Sequence, residues 1–400
     1  MRKILFCWEL GEDYGYLGKI LALTQEFADD PCIFYVASKD LSASSKIDWP
    51  ANVRFVQAPI WLRSNPLALK ASSFAEILLY KGYDSYRHLK MLTDAWVAIF
   101  DFVSPDIILF DHAPTALLAA SGLTTPKIII SNPYLTPAPG TSTISLIPLP
   151  HFDGTKAAEI HQWVINIINQ IRQDYRATPI TAIGDLFIAD ATFLSGFSET
   201  DYFNAYRSDA IYCGSALTVP IGTQDPIWTP GLSQKYFAYL KHRDPRSREI
   251  LKTLASMEAR TLCFYSDCRP DDIKEFANSS VKVSNMPFNL TKAYQEMAVL
   301  ICQGGQGVIN EALYRGIPLI LVPTQAEQFF VADKIKTMGN GIVINKNDSR
   351  EEIEKKFSGF FSNPNFNETA KFLAETRFKT DPHLIRQKIT KTIRAAGKIS

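Results

Sequence analysis

The sequence predicts an α/β protein made of two tandem, doubly wound parallel-sheet domains with a cleft between them, and three observations predict it. Short apolar runs alternate with segments of helical apolar spacing in both halves, the pattern of strands joined by crossover helices. The 400 residues exceed the roughly 250–300 that one hydrophobic core organises. Between the halves, residues 217–231 collect Pro220, Pro226, Pro230, Gly222 and Gly231, the composition of a linker. The expected division is therefore 1–216, a linker at 217–231, 232–378, and a terminal helix at 379–400 whose expected partner is the first domain.

Residues 3–8 read as a buried strand, 11–18 as a glycine loop and 19–27 as a helix. A second apolar run at 32–37 completes a β-α-β unit, which implies a parallel sheet. The same grammar returns as a strand at 106–110 between Pro105 and Asp111, a helix at 115–120 and a strand at 127–130. Residues 132–154 are rich in Pro, Thr, Ser and Gly without periodicity and read as a long surface excursion beside the cleft. In the second half, strands are expected at 235–240, 260–265, 281–283, 299–302 and 319–322. Helices are expected at 246–257, 290–297, 308–315 and 327–338. The segment 364–400 is basic and amphipathic and ends in a helix.

Composition excludes several classes of function. With 46% hydrophobic and 21% charged residues the chain has apolar material for a large core and is not generally disordered. The balance of 42 basic against 41 acidic residues, net +1, lacks the basic surplus of a nucleic-acid partner. Cys7, Cys32, Cys213, Cys263, Cys268 and Cys302 are scattered without a C-x-x-C, so neither a zinc site nor a disulfide framework is expected. His88, His151, His161, His242 and His383 show no ligand spacing either. The apolar run after Met1-Arg2-Lys3 ends at Glu9, too short for a signal segment or a membrane span. The expected location is the cytoplasm, or the inner face of the membrane as a peripheral protein.

The chemistry concentrates in Val299-Leu-Ile-Cys-Gln-Gly-Gly-Gln-Gly-Val-Ile-Asn-Glu-Ala-Leu-Tyr-Arg-Gly-Ile-Pro318 and its continuation to Glu327-Gln328. A strand runs into Gly304, Gly305 and Gly307, and a helix starts at once. Backbone N–H groups exposed at such a turn, with the positive end of the helix dipole, make an anion site suited to a diphosphate. Glycine is required because side chains would hold the phosphate off the backbone. Glu311, about one turn into the helix, is placed to accept hydrogen bonds from ribose hydroxyls. Pro318 after Gly316 closes the helix and opens the next strand.

This ordered string resembles the nucleotide-sugar motif of the UDP-glycosyltransferase superfamily, the GT1-type members of the GT-B fold, bacterial members included. There the pattern is His-Gly-Gly-x-Gly-Thr, then Glu-Ala-Leu, Gly-x-Pro, and a Pro several residues before an acidic-Gln pair. The matching residues are Gly304, Gly305, Gly307, Glu311, Ala312, Leu313, Gly316, Pro318, Pro323, Glu327 and Gln328. The resemblance implies two Rossmann-like domains, the first binding an acceptor and the second a nucleotide-sugar donor. It also implies diphosphate contact at the loop, ribose contact at Glu311 and donor-sugar contact at Glu327 and Gln328. Gln303 stands in place of the phosphate-binding His and Val308 in place of a Thr or Ser. A glutamine still donates to phosphate but carries no charge.

In the first half, Trp8-Glu-Leu-Gly11 with Gly15-Tyr16-Leu17, and the run from Pro105 through Asp111-His112-Ala113 to Ala119, resemble loops of the same superfamily. In inverting members a first-loop His removes the acceptor proton and an Asp holds that His. Asp111 matches the Asp, and Tyr16 stands where the His is expected. Tyrosine, with a pKa near 10, is a poor base at neutral pH. The other candidates are His112, at the C-terminal end of a parallel strand where α/β ligand sites lie, and Asp13 or Glu12 in the first loop. Tyr134 and Trp61, in loops, are candidates to line an acceptor pocket, although aromatics in a chain of this size lie mostly in the core. The implied function is an inverting, metal-independent transfer from a UDP- or dTDP-sugar to a hydroxyl of a small molecule, lipid or glycan. The nucleotide-sugar is then a co-substrate, and no further cofactor is implied. A catalytically degenerate nucleotide-sugar-binding or partner protein and a sugar-nucleotide epimerase remain as alternatives.

Overall fold

The computed structural model describes residues 1–11, 14–62, 71–142, 152–219, 222–231 and 233–396. Glu12, Asp13 and His151 lie outside them. Residues Met1–Leu217 and Pro382–Ser400 form one unit and Thr218–Asp381 the other.

In the first unit, strands β1 (Arg2–Trp8), β2 (Cys32–Ser38), β3 (Val53–Gln57), β4 (Ile107–Asp111), β5 (Lys127–Ser131), β6 (Ala191–Leu194) and β7 (Ile211–Tyr212) form a parallel sheet ordered β3-β2-β1-β4-β5-β6-β7. From Ile4 to Trp8, and throughout β4, the side chains are buried, as expected of strands covered on both faces. Strand order reverses between β1 and β4. Crossovers on the two sides then leave on opposite faces, opening a crevice at the C-terminal strand ends. Trp8 lies opposite Asp111 at that point.

The first helix, Tyr14–Glu26, starts earlier than the sequence suggests. Gly15, Tyr16 and Gly18 are helical rather than part of a loop. Each internal glycine costs about 1 kcal/mol against alanine. Burial of Leu17, Ile20 and Leu23 offsets that cost, and Tyr16 stacks on Trp8 with centroids 5.2 Å apart. Tyr134 also departs from expectation. It lies in the 3-10 turn Pro133–Leu135 and is 7% exposed, with its ring edge-on to Tyr202. Arg207 donates to the carbonyls of Pro133 and Thr136, drawing the start of the excursion into the core. Most of the Tyr134 ring is thus packing surface rather than pocket wall.

The helix Pro382–Ala396 packs in this unit. Its Ile389 and Ile393 are buried, and Arg394 forks onto Asp30 at 2.8 and 3.1 Å.

The second unit contains β8 (Lys235–Lys241), β9 (Arg260–Ser266), β10 (Val281–Ser284), β11 (Val299–Cys302), β12 (Leu319–Leu321) and β13 (Gly341–Val343), parallel and ordered β10-β9-β8-β11-β12-β13. Here the order reverses between β8 and β11. Leu240, Leu251, Leu254, Ile301, Ile320, Val322 and Phe357 belong to one core cluster. Residues read from composition as a linker are laid against this unit. The Trp228 indole is buried and donates to the Tyr236 carbonyl at 3.3 Å, Thr229 bonds the Ser280 carbonyl, and Gln224 bridges Phe288. Pro226 and Pro230 suit an extended chain running beside β10. No described helix is long and apolar enough to cross a membrane.

Candidate functional site

At the reversal of the second sheet, β11 ends at Cys302 and the chain turns through Gly304 with φ 101°. That backbone conformation is one L side chains rarely adopt. A Cβ at Gly304 would also lie 3.3 Å from Gln328 Cβ. Gly305 is the N-cap of the helix Gln306–Arg315 and supplies no side-chain cap. It is exposed, and a Cβ there would meet nothing within 4 Å. The first-turn N–H groups of this helix therefore have no side-chain acceptor from their cap, which is the arrangement that binds anions. The other helix starting at this reversal, Pro245–Ser256, is closed by Asp244, which accepts from Arg246 N–H.

The other residues that the sequence singles out for a donor lie just after β11 and β12 with differing freedom. Gln303 is buried, and its Nε2 has no hydrogen-bond partner among the described residues. The Val308 carbonyl accepts from Tyr294 hydroxyl at 3.1 Å, which anchors the helix start. Glu311 is paired with Arg315, Nε to Oε1 at 2.6 Å. Glu327 lies in the first turn of the helix Ala326–Met338. Gln328 is buried, and its Oε1 accepts from Thr324 N–H (2.8 Å), Thr324 hydroxyl (3.0 Å) and Gln325 N–H (3.2 Å). The oxygen of Gln328 is thus committed to its own loop.

At the reversal of the first sheet, Asp111 is fully buried and accepts from Lys19 Nζ at 2.7 Å. Burial raises the Asp111 pKa against the opposing pull of that ammonium. Lys19 also lies over the Tyr16 ring, 5.5 Å from its centroid. His112 is buried beside Asp111 with φ 46°, an uncommon conformation for a residue with a Cβ. Burial first, and then the ammonium groups of Lys39 and Lys19, push its pKa down to about 3. The ring is neutral at physiological pH and holds little of the proton affinity a general base needs. Gly15 sits exposed in the first helical turn.

Sequence reasoning passed over two residues here. Glu9 is buried and accepts from the N–H groups of Thr115 (2.9 Å) and Ala116 (3.4 Å) and from the Thr115 hydroxyl. It thereby caps the helix Pro114–Ala119 and fixes the turn bearing Asp111 and His112. A charge directly after an apolar strand was its visible signal. Lys19 was visible as a lone cation among Leu17, Ile20 and Leu23.

Burial pushes the Glu9 pKa up to about 7 against those hydrogen bonds. The folded state then holds a proton that the unfolded chain releases near pH 4.5, so stability falls as pH rises from about 4.5 to 7. The fall is expected to be roughly 3 kcal/mol at most. Glu9→Gln should flatten it in urea titrations at pH 5 and pH 8, and an unchanged slope would assign the dependence elsewhere.

Two doubly wound parallel sheets, one carrying an open glycine-lined helix N-terminus at its reversal, define the GT-B class. Residues 251–382 match the glycosyltransferase family 28 C-terminal domain. Over nearly its whole length the chain superposes on the glycosyltransferase of kitacinnamycin (TM-score 0.71, 14% identity, 98% of each chain). It superposes likewise on glycosyltransferase VinC in complex with dTDP (TM-score 0.67, 12% identity, 98% of this chain and 99% of that one). Human 2-hydroxyacylsphingosine 1-beta-galactosyltransferase is 18% identical over 55% of this chain and 42% of its own length. The chain spans about two fifths of the length of that relative. It has the GT-B fold and resembles the UDP-glycosyltransferase superfamily.

Proposed function

We propose that the protein transfers a sugar from a nucleotide diphosphate sugar, a UDP- or dTDP-sugar, to a hydroxyl acceptor, inverting the anomeric centre without a metal. The carrying observation is the uncapped helix N-terminus behind Gly304 and Gly305 at the reversal of the second sheet. Backbone N–H groups aimed at the departing diphosphate stabilise the charge that grows on it as the sugar leaves, which is the part a metal would otherwise take. Glu311 is assigned to the ribose and Glu327 with the Gln328 amide nitrogen to the sugar. The dTDP bound by VinC supports the donor class. The acceptor, a small molecule, lipid or glycan, belongs to the first unit near Tyr16, Asp111 and His112.

The Lys19–Asp111 pair and the neutral His112 favour a second reading, nucleotide-sugar binding without turnover. Isothermal titration with UDP, dTDP and their glucose conjugates, run beside a transfer and donor-hydrolysis assay, separates the readings. Binding with acceptor-dependent loss of donor is the expected result. Binding with no turnover would favour the second reading, and epimerised donor without any acceptor would indicate an epimerase. Absence of binding would remove the donor site altogether.

A further inference from the structure

We infer that Arg246 is a positioning residue for the sugar end of the donor site, an inference that rests on the donor reading above. Arg246 is the second residue of the helix Pro245–Ser256 and only 6% exposed. Its guanidinium forks onto Asp244, Nε to Oδ1 at 3.0 Å and Nη2 to Oδ2 at 2.7 Å. It also donates to two backbone carbonyls far away in sequence, Nη1 to Ile344 at 2.8 Å and Nη2 to Pro323 at 2.8 Å.

The strand order shows what this does. Asp244 and Arg246 follow β8, whereas Pro323 and Ile344 lie just past β12 and β13. The side chain therefore braces the C-terminal edge of the sheet across the end of β11, where Gln303 and Gly304 begin. Pro323 opens the short turn that delivers Glu327. The Gln328 oxygen grips the Thr324 and Gln325 groups of the same turn. Gly304 packs against Gln328 in turn. The turn is held at one end by Arg246 and at the other by Gln328, which sets Glu327 at a fixed place relative to the glycine loop.

Stability alone does not account for this pair, since apolar side chains of the same volume fill such a space as well or better. A planar fork is different in that it fixes a carboxylate and two carbonyls in one geometry, which a lysine ammonium does not. The nucleotide half of a donor is held by the amides of the helix Gln306–Arg315, which Arg246 does not touch. The sugar half depends on the braced turn.

The test uses the full chain carrying Arg246→Lys, titrated with UDP and with UDP-glucose and, in parallel, with dTDP and dTDP-glucose. Affinity for the free diphosphate is expected to stay within about twofold, while the added affinity from the sugar and the transfer rate fall by about tenfold or more. Amide exchange at Thr324 and Gln325 should accelerate while β11 stays protected. Asp244→Asn, which removes one arm of the fork and keeps a side-chain acceptor for the helix start, should give the same split and stands in if Arg246→Lys does not fold. Equal losses for diphosphate and sugar nucleotide, or no change in either, would overturn the inference. If the unsubstituted protein binds neither ligand, the donor reading fails and this inference falls with it.

Discussion

Gly304→Val is expected to remove most nucleotide binding and to lower stability at the same time. At φ 101° a β-branched residue is strained by about 1–3 kcal/mol, and its Cβ would press on Gln328, whose own Cβ is 3.3 Å away. Relief requires the turn to swing, which carries the first N–H groups of the helix Gln306–Arg315 away from an anion. A displacement of that kind lowers affinity by about 10–100-fold, or roughly 1.4–3 kcal/mol. Gly305→Val isolates the binding effect. Its backbone is at φ −61° and has open space around it, so the side chain fits the fold but projects over the uncapped amides. Titration calorimetry and thermal melts on both variants distinguish the two effects. Gly304→Val should lose affinity and Tm together, and Gly305→Val affinity alone. Full affinity for UDP or dTDP in both would mean that the diphosphate does not sit at this loop.

Asp111→Ala should destabilise the protein by about 3–5 kcal/mol, the cost of stranding a buried partner charge. Lys19 is only 8% exposed on its side chain and has no water to turn to once the carboxylate is gone. The double variant Lys19→Met with Asp111→Leu should recover most of the loss, because matched apolar groups avoid the desolvation of both ions. The size of the recovery is read from the double-mutant cycle in urea. Losses that simply add would show that the two residues are energetically independent despite their 2.7 Å contact. The same cycle bears on mechanism. If Asp111 is reserved for Lys19, the single variants lose stability before any specific loss of rate appears.

The glycine turn after β11 was legible because everything that makes it lies within one contiguous stretch. Strand, glycine turn and helix follow one another from Val299 to Arg315, and each leaves a local mark in apolar spacing or glycine placement. The strands flanking it were readable for the same reason. The short β3, β6, β7 and β13 were not, since a few residues half covered by neighbours carry no period of their own. The first helix was misjudged at its start. Two glycines in its opening turns argue for a loop, and only the stacking of Tyr16 on Trp8 and the burial of Leu17 reverse that preference.

The C-terminal edge of the first sheet was legible in outline alone. Asp111 and His112 could be placed at a strand end from sequence, but that Asp111 is bound to Lys19 and that His112 is held neutral could not. Tyr134 looked like a pocket residue because its segment lacks periodicity, yet Arg207, from far along the chain, pulls that segment inward.

What the sequence by itself determined is the alternation of strands and helices in two halves and the glycine-rich turn that opens a helix to an anion. Those follow from side-chain periodicity and backbone freedom, which act between neighbours. Only the tertiary structure decided which distant polar groups meet: Lys19 with Asp111, Glu9 with Thr115, and Arg246 with the carbonyls of Pro323 and Ile344. Such pairs depend on the order in which strands assemble. That order brings residues roughly a hundred positions apart to one sheet edge, and no local pattern records it.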